Sequence, residues 1–258
     1  MIGRVISDVK IAELRIRAQM AELEEANSEL METNEELDKF VYSVSHDLSA
    51  PLKSILGLVN VSRMTDRLPD HRMYFEKVEK SVLKLDAFIK EVLDYSYNKR
   101  VAIQTEWIDI RQMCTDILEN LSFTENYDRV RFEYDGLVVS QVWTDPARLR
   151  IILNNLLSNA IKYQRHEEGG EALIRVTSES VDGSTLIYVE DNGEGIRAEM
   201  LPRIFEMFFR ATDKSKGAGL GLYIARQAAL RLGGDLFVRS KYGRGTIFTI
   251  SLPVVESD

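Results

Sequence analysis

Asp145-Pro146-Ala147-Arg148-Leu149-Arg150-Ile151-Ile152-Leu153-Asn154-Asn155-Leu156-Leu157-Ser158-Asn159-Ala160-Ile161-Lys162-Tyr163 reads as a helix with an uncommon polar side. Asp145 supplies an N-cap carboxylate, and Pro146 fits the first helical position, where its missing N–H is no loss. At about 100° per residue, Leu149, Leu153, Leu156, Leu157 and Ala160 gather on one side, while Arg148, Asn155, Asn159 and Lys162 line the other. Asparagine is a mediocre helix former because its side chain competes for nearby backbone groups, so two of them one turn apart call for a reason. Their amide oxygens suit a hard cation such as Mg2+, which keeps several waters for a phosphate-bearing partner, and Lys162 adds a point charge. Taken alone, the same face reads equally well as ordinary polar surface.

Two glycine-bearing runs follow. Tyr188-Val189-Glu190-Asp191-Asn192-Gly193-Glu194-Gly195-Ile196 leaves a strand, presents a carboxylate and turns on two glycines. Asp191 can accept a hydrogen bond from an exocyclic amine, and the glycines let a flat ring approach the backbone, although Asp-Asn-Gly is also a common turn. Lys216-Gly217-Ala218-Gly219-Leu220-Gly221-Leu222-Tyr223 is a glycine loop flowing into a helix, where free N–H groups and the helix dipole favour phosphate. It lacks the Lys-Ser/Thr ending of a P-loop and does not match the dinucleotide fingerprint. Around these runs, β-rich stretches (Val130–Tyr134, Leu173–Thr177, Leu186–Glu190, Leu236–Ser240, Thr246–Leu252) alternate with helical ones, and Lys241 to Gly245 forms a hairpin loop between the last two. The class is α+β, with a mixed or antiparallel sheet covered by helices.

Upstream the period changes. Val9, Ile16, Leu23, Leu30, Leu37 and Val44 recur every seven residues, one seam of a coiled coil whose companion positions (Ala12, Gln19, Ala26, Thr33, Phe40) are mostly small or polar. The helical pattern runs on through Leu52, Ile55, Leu56 and Val59 and breaks near Leu68-Pro69-Asp70. Val78, Val82, Leu85, Ile89 and Val92 then form a second stripe at spacings of four and three. A two-helix hairpin buries too little alone, so a dimer with four helices is expected. From Ser96 the period is lost, and residues 98–106 read as a linker.

The chain has 258 residues, with 33 Lys+Arg against 41 Asp+Glu and a net charge of −8. That charge makes a poor clamp for nucleic acid, whose phosphates need clustered cations. The apolar fraction of 45% is enough for one core or two and excludes wholesale disorder. The single cysteine, Cys114, excludes an internal disulfide framework and a Cys-based zinc cluster; it reads as a small apolar helix residue in a reducing compartment. No window approaches the roughly 20 apolar residues of a spanning helix, and the N-terminus lacks a signal peptide's apolar block. A soluble, cytoplasmic chain is expected, with any membrane-seated sensor outside this sequence.

One histidine stands in a suggestive context, Ser45-His46-Asp47-Leu48-Ser49-Ala50-Pro51-Leu52. A neutral imidazole is a competent nucleophile toward a γ-phosphoryl group, and Asp47 can orient it or accept its proton. His71 and His166 have no comparable setting and read as surface residues.

Together these residues closely resemble the two-component sensor histidine kinases, whose ATP-binding domain is of the Bergerat type shared with gyrase and MutL proteins. Ser45 to Leu48 with Pro51-Leu52 resembles the phosphoacceptor box, and Asn155 to Tyr163 the asparagine box. Asp191 to Gly195 and Gly217 to Gly221 resemble the glycine boxes, Ile204 to Arg210 the phenylalanine box, and Gly243-Arg244-Gly245-Thr246 the last box.

The resemblance implies a fold of N-terminal coiled-coil helix (1–38), a dimeric phosphoacceptor hairpin (39–97), a linker (98–106) and an α/β-sandwich ATP-binding domain (107–255). It implies that His46 takes the phosphoryl group, Asp47 assists as base, and Asn155 and Asn159 hold Mg2+. Lys162 would contact phosphate, Tyr163 would pack near the adenine, Asp191 would read its amine, and Thr246 would lie close by. Gly193, Gly195, Ile196, Gly217, Gly219, Leu220, Gly221 and Leu222 complete the implied ATP-binding set, with Gly219 to Gly221 capping the phosphates. Arg197 to Lys216 would be a mobile lid whose Phe208 and Phe209 dock on the helical domain and whose Arg210 steadies the transferring charge.

Two positions depart from the pattern. Ser49 stands where many members carry a basic residue, and Ala50 where they carry the Thr or Asn associated with positioning water for partner dephosphorylation; weak phosphatase activity is therefore expected. The resulting expectation is a homodimeric, ATP- and Mg2+-dependent protein-histidine kinase that passes its phosphoryl group to an aspartate of a response regulator on a separate chain. That regulator would dock near Leu52, Ile55 and Leu56. A clamp-type ATPase and a silent dimeric scaffold are the competing readings.

Overall fold

The computed structural model describes residues 2–64, 68–124, 127–165, 171–211 and 217–254, in two compact units, 1–82 and 83–258. The first unit is dominated by one helix, α1 (Ile2–Ser62), so the coiled-coil stretch and the His46 stretch share a single backbone. Leu23, Leu30 and Leu37 of the heptad seam lie in water in the single chain, as do Leu52 and Leu56. Pro51 sits inside α1 and cannot donate to the carbonyl of Asp47, one turn back. The next helix, α2 (Leu68–Arg100), opens with Pro69 in its first turn, the position proline tolerates.

α2 does not stop where the apolar period fades. It continues to Arg100, so residues 98–100, assigned above to a linker, are helical. The heptad pattern vanishes there because the last turns face a globular unit: Phe88, Tyr95 and Asn98 are all buried.

The second unit then proceeds through β1 (Glu106–Asp109), α3 (Ile110–Leu121), β2 (Val130–Leu137), β3 (Gln141–Thr144), α4 (Pro146–Lys162), β4 (Ala172–Val181), β5 (Ser184–Asp191), α5 (Gly221–Arg231), β6 (Asp235–Lys241) and β7 (Gly245–Pro253). Five strands form one mixed sheet in the order β2-β4-β5-β7-β6, with β2 parallel to β4 and every other pair antiparallel. β1 and β3, absent from the sequence reading, pair as a separate antiparallel ribbon with Trp107 opposite Trp143.

Alternation along the strands sends Ile174, Val176, Ile187, Val189, Leu236, Phe248, Ile250 and Leu252 to the covered side, each nearly or fully buried. α4 and α5 pack on each other and on this sheet, and α3 packs on α4. Their contribution is an apolar stripe: Leu149, Leu153, Leu156, Leu157 and Ala160 from α4, Ile224, Ala225, Ala228 and Ala229 from α5. Cys114 is part of this core, and burial pushes its thiol up to about 12, leaving it inert. Among the described residues, no helix is long and apolar enough to cross a membrane.

Candidate functional site

The polar side of α4 is where the site begins. Asp145 caps the helix as expected, its carboxylate accepting the N–H of Arg148. Arg148, however, does not join the polar face: it is fully buried. The reason is a set of acceptors from elsewhere in the chain, among them Asn98: by angle it lies opposite the apolar stripe as expected, but it is covered there and is no part of the open polar face.

Asn155, Asn159 and Lys162 do share one half-buried face. The Asn155 amide nitrogen donates to the carbonyl of Ile151 at 2.8 Å, which identifies the other atom as oxygen. That oxygen is turned to Gly221, where a Cβ would stand only 2.4 Å from it. An outward amide oxygen against the glycine loop is the donor a hard cation takes, so the residues fit Mg2+. Lys162 lies over the Tyr163 ring, and a Cβ on Gly217 would stand 3.4 Å from its ammonium. One cation therefore reaches the start of the second glycine loop from the end of α4.

The first glycine run is stitched to α4 and to the last hairpin largely through backbone. Glu194 N–H donates to the carbonyl of Tyr163 at 2.9 Å, and a Cβ on Gly193 would stand 2.5 Å from that same oxygen. Gly195 has a positive φ and closes onto the carbonyl of Lys241, while Gly245, also at positive φ, closes onto that of Asp191. Larger residues would open both approaches. The Ile196 N–H is taken by Ser240 Oγ at 2.8 Å, and Ser240 also bonds Thr246. Ser240 belongs to this site and carries no local signal in the sequence.

Asp191 stands at the centre of these contacts. Burial pushes its carboxyl up to about 6, although the N–H groups of Gly193 and Thr246 donate to it and pull the other way; Glu190 adds repulsion. A carboxylate stripped of water and only partly satisfied is an acceptor waiting for a donor. Thr246, buried beside it, is its strand partner.

The phenylalanine run closes the other side. Phe208 has φ of 63°, and its N–H donates to the carbonyl of Gly219 at 3.0 Å. Gly219 is itself at positive φ, and a Cβ there would stand 2.7 Å from the carbonyl of Phe209. The phenylalanine run and the glycine loop are thus joined through two left-handed residues. Phe205 lies under the Arg226 guanidinium, which forks onto Asp235, and Phe209 lies under Arg203. Arg210 and Gly217 are exposed, and Leu222 is half-buried at the start of α5. Leu220 is fully buried: its side chain belongs to the core, and only its backbone can face a ligand. Residues 212–216 of the expected lid, and His166, lie outside the described residues.

His46 is an exposed residue of α1, its ring 71% accessible. Its Nδ1 lies 3.0 Å from Asp47 Oδ1. A carboxylate there holds the proton on Nδ1 and leaves the lone pair of Nε2 directed outward. Ser45 and Ser49 spend their hydroxyls on carbonyls one turn back. His71, expected at the surface, is half-buried in α2.

Two family models match the chain in this order. The His Kinase A phosphoacceptor domain matches residues 36–99, and the histidine kinase-, DNA gyrase B- and HSP90-like ATPase matches residues 144–256. The aerobic respiration control sensor protein ArcB of Escherichia coli is 32% identical over 83% of this chain and 28% of its own length. The sensor histidine kinase GacS of Pseudomonas protegens is 30% identical over 97% of this chain and 28% of its own. The chain thus spans little more than a quarter of these relatives. Among solved structures, the Acinetobacter baumannii histidine kinase AdeS matches with a TM-score of 0.65 at 22% identity, over 81% of this chain and 98% of that one. ThkA, in a complex with the response regulator TrrA, matches with a TM-score of 0.66 at 22% identity, over 85% of this chain and 62% of that one. At that identity the likeness shows the fold. Phosphoacceptor helix and ATPase domain, present together and in this order, place the chain in the family of two-component sensor histidine kinases.

Proposed function

We propose that the chain is an ATP-dependent protein-histidine kinase that phosphorylates His46 and passes the phosphoryl group to an aspartate of a response-regulator receiver domain. The observation that carries this reading is the pairing, in one chain, of a histidine oriented by Asp47 with a half-buried Asp191 carboxyl among glycine turns.

In this reading Asp191 accepts the adenine amine, Tyr163 and Thr246 lie beside the ring, and Lys162 with the loop from Gly217 to Gly221 holds the phosphates. Asn155 and Asn159 would hold Mg2+, which neutralises charge developing on the phosphates. His46 Nε2 attacks the γ-phosphorus, the N–P bond forms as the bond to the ADP oxygen breaks, and positive charge grows on the ring. Asp47, at 3.0 Å from Nδ1, stabilises that charge and can take the Nδ1 proton. Arg210 steadies the transferring group from the lid.

The exposed seam of Leu23, Leu30 and Leu37 and the exposed Leu52 and Leu56 support a homodimer through a coiled coil and a four-helix hairpin pair. ThkA was solved with a response regulator, and the same class of partner is assigned to this chain, docking near Leu52, Ile55 and Leu56. The division follows: coil to residue 38, hairpin to 97, ATP-binding domain from 107 to 255.

The test is incubation with γ-labelled ATP and Mg2+, comparing the chain with His46→Ala. Base-stable, acid-labile label lost in the variant is expected. Phosphate release without label would point instead to a clamp ATPase, and nucleotide binding without turnover to a scaffold.

A further inference from the structure

We propose that Arg148 is a positioning residue: it welds the last turn of α2 to the start of α4, so that the setting of Asn155 and Asn159 follows the end of α2. The proposal rests on the nucleotide reading of the α4 face and extends it to a control point outside that face.

Arg148 is fully buried, yet each of its three guanidinium nitrogens has an acceptor. Nε donates to Asn98 Oδ1 at 3.1 Å, Nη1 to Asp145 Oδ2 at 2.8 Å, and Nη2 to the carbonyls of Asn98 at 3.2 Å and Val101 at 2.5 Å. The Tyr97 ring lies under the guanidinium. Asp145 in turn accepts the N–H of Arg148, capping α4, and the N–H of Gln104, at 3.0 and 2.9 Å. Burial alone would raise its carboxyl, but those two N–H groups and the guanidinium hold it below the usual carboxylate value. One ion pair therefore ties three pieces of chain: the end of α2, the segment after it, and the cap of the asparagine helix.

A planar fork with fixed acceptors defines rotation as well as distance, which an apolar contact of equal size does not. Arg148 and Asn155 are seven residues apart, two turns and roughly 20° out of phase, so the clamp at one end sets the facing of the amide at the other. A second contact works in the same direction: Tyr95 of α2 packs against Tyr223 of α5, ring centroids 6.2 Å apart, both buried. α5 begins at Gly221, the residue against Asn155 Oδ1. The end of α2 thus touches both helices that frame the phosphate and cation region, through residues that do not line it.

The experiment uses the full chain with Asn98→Leu, which removes the Nε acceptor, and Asn98→Asp, which keeps it. Hydrogen exchange of the nucleotide-free proteins is followed along α4, together with the affinity for an ATP analogue with Mg2+ and with EDTA. Asn98→Leu is expected to speed exchange at residues 151–161 about tenfold while the β4–β5 amides stay protected, and to cut the Mg2+-dependent gain in affinity by a similar factor. Asn98→Asp should restore both to within about twofold. Unchanged α4 exchange in Asn98→Leu, an even rise across the whole sheet, or no rescue by Asn98→Asp would overturn the proposal. Exchange is read without nucleotide, so failure of the nucleotide reading would appear separately, as a wild-type chain that binds no analogue.

Discussion

Asp191→Asn should make the nucleotide-free protein more stable and the liganded one less so. In the folded chain burial lifts this carboxyl from 3.8 to about 6. Between those values the folded state binds more protons than the unfolded one, so stability falls as pH rises through the window and stays low above it. The gap between 3.8 and about 6, at about 1.4 kcal/mol per pH unit, is a cost of about 3 kcal/mol near neutrality. The raised value already contains the pull of the Gly193 and Thr246 N–H groups on the charged form, but asparagine offers one oxygen where the carboxylate offers two, and an N–H left without its acceptor costs roughly 2 kcal/mol. A net gain of roughly 1 kcal/mol remains, or about 2–4 °C in melting temperature for a unit of this size. Thermal scans from pH 4 to pH 8 should show that gain at pH 8, shrinking through pH 6 and gone near pH 4. With an ATP analogue the order should reverse, because a bond to a charged acceptor is worth roughly 1.5–3 kcal/mol, about 10- to 150-fold in affinity. A variant that melts below wild type at pH 8, or by a constant offset at every pH, would refute the electrostatic account of this carboxylate.

Gly221→Ala sets a Cβ against the tip of Asn155, which can swing aside. It should melt within about 1 kcal/mol of wild type and lose roughly tenfold in Mg2+-dependent nucleotide affinity, read by titration. Gly234→Ala instead drives a Cβ to 1.8 Å from the backbone carbonyl of Ser251, and should cost about 3 kcal/mol in denaturant unfolding without selective loss of binding. Asp47→Asn should slow labelling of His46 by roughly a hundredfold and leave nucleotide affinity unchanged. Ala50 is exposed one turn beyond His46 and offers no polar group, and Ser49 bonds its own helix. Ala50→Thr should therefore raise dephosphorylation of the regulator roughly tenfold in a phosphate-release assay with labelled regulator.

The elements that could be read from sequence are those whose signals are local. The cap at Asp145-Pro146, the leucine stripe of α4 and the five sheet strands all announce themselves within a few residues. The strands run on past the stretches legible in sequence, where polar residues such as Glu179 and Ser180 continue the ladder because backbone pairing, unlike burial, places no demand on side chains. β1 and β3 escaped because each is four residues long, and the Trp107–Trp143 pairing that justifies them joins distant segments. Ser240 escaped for the same reason: a serine in a strand acquires its role only when Ile196 arrives from another part of the chain.

Arg148 shows the limit of periodicity most sharply. Angular arithmetic put it on the polar side of α4, and by angle it does lie there. What the arithmetic cannot give is whether that sector is covered, and at the first turn of α4 it is covered by the end of α2, the stretch whose own pattern had faded. The two misreadings share one cause. A helix end that packs on a globular unit stops repeating every seven residues, and the arginine it covers stops being surface. Fading of a heptad beside an unexplained Asn-Lys-Arg end, followed by an Asp-Pro-x-Arg helix start, is therefore better read as an anchoring point than as a linker. If Asn98→Leu loosens α4 alone, that reading will hold for this chain.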